Sequence, residues 1–169
     1  MKSHRIKFQK ILAVLLAILA LVGGLFGLCR AVASARAYDI APLTDERLAE
    51  LDLTGITHLM IVAHPDDETL WGGAHIADGG YLVVCITNGY NATRSAEFQA
   101  VMQASNNVGL ILSYPDKVAG KRDDWTHVRS QIQTDLEKVM TYQPWEDIVT
   151  HNAKGEYGHI HHKMTHQIV

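Results

Sequence analysis

The chain has 169 residues, with 15 Lys/Arg, 18 Asp/Glu and two cysteines. That length holds one domain with a real core and not comfortably two, and two cysteines exclude a disulfide framework and a cysteine-based zinc motif. The charge is asymmetric: six basic residues and no acid precede Asp39, and from there nine Lys/Arg face all eighteen acids, a balance of −9, which excludes a nucleic-acid partner because phosphate neutralisation needs clustered Lys/Arg.

Residues 11–29 form an unbroken run without a charge. As a helix, such a run spans roughly the ~30 Å hydrocarbon core of a bilayer. Four basic residues precede it and two follow it. The positive-inside tendency then puts the N-terminus in the cytoplasm and the rest of the chain on the extracytoplasmic side. Residues 33–37, Ala-Ser-Ala-Arg-Ala, have the small side chains of a cleavage site, which would make the product secreted. The length of the apolar run favours an uncleaved single-pass anchor. The expected organisation is a basic tip and membrane anchor over 1–30, a linker and lead-in helix over 31–50, and a catalytic domain over 51–169.

Strand and helix signals then alternate. Residues 57–63 are mostly apolar and predict a strand buried on both faces. A helix is predicted over 69–77, ended by Gly79-Gly80. The run Tyr-Leu-Val-Val-Cys-Ile-Thr over 81–87 predicts a strand, broken by Asn88-Gly89. Helix is expected over 93–107 and a short strand over 109–113. The spacing of Trp125, Val128, Ile132, Leu136 and Val139 predicts a helix over 124–142. A fourth strand follows over 147–150, and a helix opens from Tyr157. This alternation implies an α/β, Rossmann-like fold with a mostly parallel sheet and helices on both faces. Ligands bind such sheets beyond the carboxyl ends of the strands, where His64, Asn88 and His151 are expected.

The first strand runs into His64-Pro65-Asp66-Asp67-Glu68, and a second cluster, His159-Ile160-His161-His162, lies far downstream. A catalytic zinc site takes three protein ligands and keeps one position open. His64 and Asp67 can supply two and His162 the third, while Asp66 is left to take a proton from the attacking water. The ligand types suit Zn2+ and equally Fe2+. His161 and His166 are expected beside the site or at the surface, and His151 as a substrate contact or a structural residue.

Ala63-His64-Pro65-Asp66-Asp67-Glu68, followed by Gly155-Glu156-Tyr157-Gly158-His159-Ile160-His161-His162, resembles the PIG-L/LmbE-like zinc de-N-acetylases from about residue 57 onward. The resemblance implies removal of an N-acetyl group from an N-acetylglucosamine-type sugar or glycoconjugate. It implies His64, Asp67 and His162 as metal ligands and Asp66 as general base. His159, assisted by Tyr157, would polarise the amide carbonyl. Arg94 and Glu97 match an Arg-x-x-Glu pattern, with Arg94 gripping the sugar, and Asn88 lies in the loop after the second strand. His161 departs from the pattern, which often has an acid there. The family's domain is longer, so this one is expected to continue past Val169. Two competing readings are a membrane-tethered metal- and sugar-binding relic without turnover, and a non-haem iron oxygenase, whose ligand types are similar but whose usual scaffold is antiparallel.

Overall fold

The computed structural model describes residues 2–169, with side chains for residue 10 and residues 14–169. The chain divides into two units, 1–37 and 38–169. The first is one helix, α1 (Lys2–Arg36). Its segment Val14–Arg36, 23 residues, is long and apolar enough to cross a membrane. It runs past Cys29 because residues 31–36 contain no Gly or Pro to stop it.

The second unit is built on a sheet of β1 (His58–Val62), β2 (Tyr81–Thr87), β3 (Val108–Tyr114) and β6 (Asp147–Thr150). All pairings are parallel, in the order β3-β2-β1-β6. The helices are α2 (Asp45–Ala49), α3 (Asp67–Leu70), α4 (Gly73–Ile76), α5 (Ala92–Ala104), α6 (Arg129–Met140) and α7 (Ile160–Ile168), and a small hairpin pairs β4 (Lys117–Val118) with β5 (Lys121–Arg122). Side chains alternate across β1, so Leu59, Ile61 and Ala63 join Leu48, Ile132, Leu136, Val139 and Met164 in one core. Met60 and Val62 face the other way, against Ile76, Phe98 and Met102. Helices therefore cover both faces, which is why every residue of β2 is buried. The all-parallel sheet is not the antiparallel scaffold that the oxygenase reading requires.

The strands over 81–87 and 147–150 fall where the pattern predicts them, the helix expected from Tyr157 starts at Ile160, and three other helices differ. The helix expected over 69–77 is two short ones, α3 and α4, separated at Trp71-Gly72. A Cβ on Gly72 would lie 2.6 Å from Met60 Cε and 3.0 Å from the Glu68 carbonyl oxygen, so the chain bends where it presses on the sheet. The helix expected over 93–107 stops at Ala104, because Asn106 takes φ 53° and Val108 is already in β3. The helix expected from Asp124 starts at Arg129. Trp125 sits before it at φ 55°, its indole N–H donating to the Pro115 carbonyl at 2.9 Å and its backbone N–H to Asp123 Oδ1 at 2.7 Å. The apolar spacing over 125–139 is real, since all five residues are buried, but its first turn is an irregular bend held by the bonds to Asp123 and Pro115.

Helix α6 is held by the Ile132, Leu136 and Val139 stripe, whose full burial is worth about 1.5–3 kcal/mol per side chain. Leu136→Ala is expected to cost about 2–5 kcal/mol, read as a lower urea midpoint at unchanged slope.

The strand order reverses direction between β1 and β6, so the crevice at their carboxyl ends is the place where such a sheet binds a ligand.

Candidate metal centre and active site

His64 follows β1, His151 follows β6, and α7 begins at Ile160 with His159 as its N-cap. Three ends of the fold thus meet over one edge of the sheet. The turn after β1 is tight. Asp66 takes φ 124°, a region that costs a non-glycine residue about 1–3 kcal/mol. Glu68, almost fully buried, holds it there: Glu68 Oε2 accepts the Asp66 N–H at 3.0 Å and Oε1 the Thr69 hydroxyl at 3.1 Å. Burial raises the Glu68 pKa. On the other side, Gly155 (φ 67°) and Glu156 (φ 57°) turn the chain toward α7. Gly155 cannot be larger, because a Cβ would stand 2.6 Å from the His159 carbonyl oxygen.

The buried Asp67 carboxylate lies at the centre. Its Oδ2 accepts the His64 N–H at 2.8 Å and lies 3.1 Å from His64 Nδ1. Its Oδ1 lies 3.2 Å from His162 Nε2. One ligand atom from each of His64, Asp67 and His162 falls within 4.8 Å of the others. The tautomers follow from the surrounding bonds. His162 Nδ1 lies 2.6 Å from Glu156 Oε2, so Nδ1 carries the hydrogen and donates it. Nε2 is then a bare lone pair, and it finds no hydrogen-bond partner among the described residues. A buried lone pair facing a carboxylate oxygen is satisfied only by something positive between them. The donor set of two imidazoles and one carboxylate is that of an open catalytic zinc site, so the residues fit a divalent ion.

In the ion-free site the imidazoles themselves act as the positive partners of Asp67. Burial opposes ionisation of Asp67, but the imidazoles of His151, His162 and His64 outweigh it and hold the carboxyl far below its usual range. Burial likewise opposes charge on His64, and the Asp116 and Asp67 carboxylates overcome it and raise its pKa.

A cleft of about 420 Å³ opens over this centre, lined among others by His64, Asp66, Trp71, Asn88, Arg94, Tyr157 and His159. Asp66 is exposed in it. The Arg94 Nη2 donates to Asp66 Oδ2 at 2.9 Å and to the Pro65 carbonyl, while Nη1 pairs with Glu97. Arg94 thus grips Asp66 at the wall of the cleft and is itself held by Glu97. His159 Nδ1 accepts the His161 N–H at 3.2 Å, leaving its Nε2–H as a donor toward the cleft with no partner among the described residues. Burial, followed by the charges of His64 and His162, lowers its pKa to about 4, so the ring is neutral at pH 7. Tyr157 is exposed, its ring centroid 5.8 Å from that of His159 and 6.0 Å from that of Trp71. Asn88, at φ 69°, donates its amide to Thr87 Oγ1 at 2.8 Å. Its neighbour Gly89 must be glycine, since a Cβ would sit 2.5 Å from the Leu112 carbonyl oxygen.

Seven of the nine residues singled out in the sequence line this cleft; His162 lies buried against Asp67, and Glu97 reaches it only through its pair with Arg94. Other residues complete the centre. Glu156 orients His162. His151 is buried beneath it, rings stacked at 3.9 Å, accepting the Ala63 N–H at Nε2 (3.0 Å) with Nδ1 3.2 Å from Glu156. Asp116 comes from the loop before β4 to 3.5 Å from His64 Nε2. His161, expected beside the site or at the surface, is completely buried. His166 is exposed, its Nδ1 2.9 Å from the His151 carbonyl. No local spacing announces Glu156 or Asp116, because both reach the centre only through loop turns.

A family model, PIG-L (GlcNAc-PI de-N-acetylase), matches residues 59–169. The chain belongs to the PIG-L family. The matched region begins inside β1 and contains the whole constellation just described. Zinc dependence is general in the PIG-L family. A relative from Acanthamoeba polyphaga mimivirus, an uncharacterized protein, is 30% identical over 128 residues, 66% of this chain. The chain spans 55% of that protein's length.

Proposed function

We propose that this PIG-L protein is a zinc-dependent hydrolase that removes the N-acetyl group from an N-acetylglucosamine-type glycoconjugate. The observation that carries the reading is the unpartnered, buried lone pair of His162 Nε2 facing Asp67 beside His64, under a cleft that holds a further carboxylate and a neutral histidine.

His64, Asp67 and His162 hold the ion. When bound, it supplies Lewis acidity, enough to bring the pKa of water near 7. Asp66 takes the proton of the attacking water. Its Oδ2 is tied to Arg94, which leaves Oδ1 to face the water and fixes the carboxylate's direction. As the amide carbonyl oxygen becomes negative, the His159 Nε2–H donates to it. A neutral donor suits this role, because it strengthens its bond as charge develops without needing to lose its own proton. Tyr157 stands at the same side of the cleft to assist. Asp66 then returns its proton to the leaving nitrogen, and the products are acetate and the free amino sugar. Asn88 and Trp71 line the space left for the sugar ring, and Glu97 acts through Arg94.

The reading also assigns α1 as a single-pass anchor with its basic end in the cytoplasm and residues 38–169 on the extracytoplasmic side. The uncharged run, with basic residues before it, supports this orientation. The acidic surface of the second unit excludes nucleic acid as a partner.

The test is release of acetate from N-acetylglucosaminyl-phosphatidylinositol and from soluble N-acetylglucosaminides by the full chain in detergent. Turnover is expected, abolished by a chelator and restored by Zn2+. Zinc bound at one equivalent without acetate release from any of these substrates would instead establish the relic that binds metal and does not hydrolyse.

A further inference from the structure

The His161 ring is completely buried and stacks on Trp125, with centroids 4.1 Å apart and planes 7° from parallel. Its Nε2 lies 2.7 Å from the Asp123 carbonyl oxygen. A carbonyl only accepts, so Nε2 carries the hydrogen. The neutral ring then has its lone pair on Nδ1, which lies 3.0 Å from His64 Nε2. Two lone pairs cannot share that contact, so His64 Nε2 must carry a hydrogen and donate it. With one proton on the ring, His64 Nδ1 is therefore bare, and Nδ1 is the atom 3.1 Å from Asp67 Oδ2.

This outcome is not what Asp67 alone would select. Left to itself, the carboxylate favours the tautomer with a hydrogen on His64 Nδ1, because a hydrogen bond to a charged acceptor is the stronger kind. That tautomer has no lone pair to give a metal. Asp116 Oδ1 also lies near, 3.5 Å from His64 Nε2 and 3.8 Å from His161 Nδ1, but it is engaged by the Arg122 guanidinium. The Asp123 carbonyl is firmly placed: its side chain accepts the Tyr38 hydroxyl at 2.6 Å and the Trp125 N–H at 2.7 Å.

We propose that His161 is a positioning residue for the metal centre: by accepting the His64 Nε2–H it holds His64 in the tautomer whose Nδ1 lone pair faces the ion. The chain from Asp123 through His161 to His64 ties the centre to the segment after β5. Orientation of a ligand histidine through its second nitrogen is typically worth 10–100-fold in metal affinity. The proposal rests on the reading that His64, Asp67 and His162 bind a divalent ion.

The test compares Zn2+ dissociation constants, by competition with a chromophoric chelator, for the full chain and three variants. His161→Phe keeps the ring volume and the stack on Trp125 but removes the acceptor; it is expected to weaken zinc by about 10–100-fold. His161→Asn places an amide oxygen where Nδ1 lies and is expected to stay within a few-fold of wild type. Asp116→Asn is expected to change little. A purely packing role for His161 predicts the reverse order, with phenylalanine the better replacement. Zinc affinity unchanged in His161→Phe, or lost in Asp116→Asn instead, overturns the positioning role while leaving the metal reading intact. A wild-type chain that binds no zinc overturns both. A readout independent of folding of the variants is the ¹⁵N spectrum of zinc-loaded wild type: a coupling across the hydrogen bond between His64 Nε2 and His161 Nδ1 is expected, and a lone-pair shift at His64 Nε2 overturns the proposal.

Discussion

Asp66→Asn is expected to lower acetate release by about 10²–10⁴-fold, the usual contribution of a positioned general base, and to leave zinc bound. The substitution keeps the shape of the side chain and removes its ability to take a proton. It does not touch the ion's ligands, since no contact joins the Asp66 carboxylate to His64 or His162 among the described residues. The turn should survive, because the strained backbone at φ 124° is held by the Asp66 N–H to Glu68 bond at 3.0 Å, which asparagine also makes. The variant can still accept from Arg94 through its amide oxygen. Rate and metal content are therefore expected to separate. The measurement is acetate release at saturating zinc together with zinc content by atomic absorption. An Asp66→Asn protein with wild-type turnover removes Asp66 from the base role, and one that has lost zinc places it among the ligands instead.

Asp67→Asn is expected to abolish zinc binding at micromolar metal and turnover with it. Among the described residues, the carboxylate is the only anionic group facing both His64 Nδ1 and His162 Nε2, at 3.1 and 3.2 Å. A neutral amide there gives the ion two imidazoles and a weak carbonyl donor in place of a charge. The same residue carries a signature in stability against pH, measurable in chelator-treated protein. The folded-state pKa of Asp67 lies far below the ordinary carboxylate value of 3.8. The unfolded chain thus takes up this proton first as the pH falls, so the stability that Asp67 contributes is fully present above about pH 4 and is lost as the pH drops toward the folded value. Wild type should be more stable than Asp67→Asn at pH 7, and the gap should narrow below pH 4. A gap that is constant from pH 7 to pH 3 would mean that the buried imidazoles do not hold this carboxylate ionised.

What was readable in the sequence is local. His64 to Glu68 stand out because a buried strand announces itself by apolar residues, and polar residues directly after it must emerge at the sheet edge. The β2 and β6 boundaries were legible for the same reason. Helix ends were less so. Gly72 splits a helix because Met60, twelve residues away in sequence, needs the space, and Trp125 leaves the helical stripe because its indole bonds to Pro115. Arg94 shows a related limit: its Arg-x-x-Glu spacing fits an ion pair on one helix face, and only the folded turn brings Asp66 within its reach.

The amino-acid sequence by itself determined the alternation of strands and helices, the apolar N-terminal helix, and the two clusters of ligand-bearing residues. Those follow from periodicity and residue type, which act over a few positions. Only the tertiary structure decided which histidine nitrogen holds a hydrogen. His161 and His162 are neighbours in the chain, yet one is turned to the Asp123 carbonyl and the other to Glu156. Each tautomer is chosen by an acceptor delivered from another segment, and no neighbouring residue along the chain can dictate that choice.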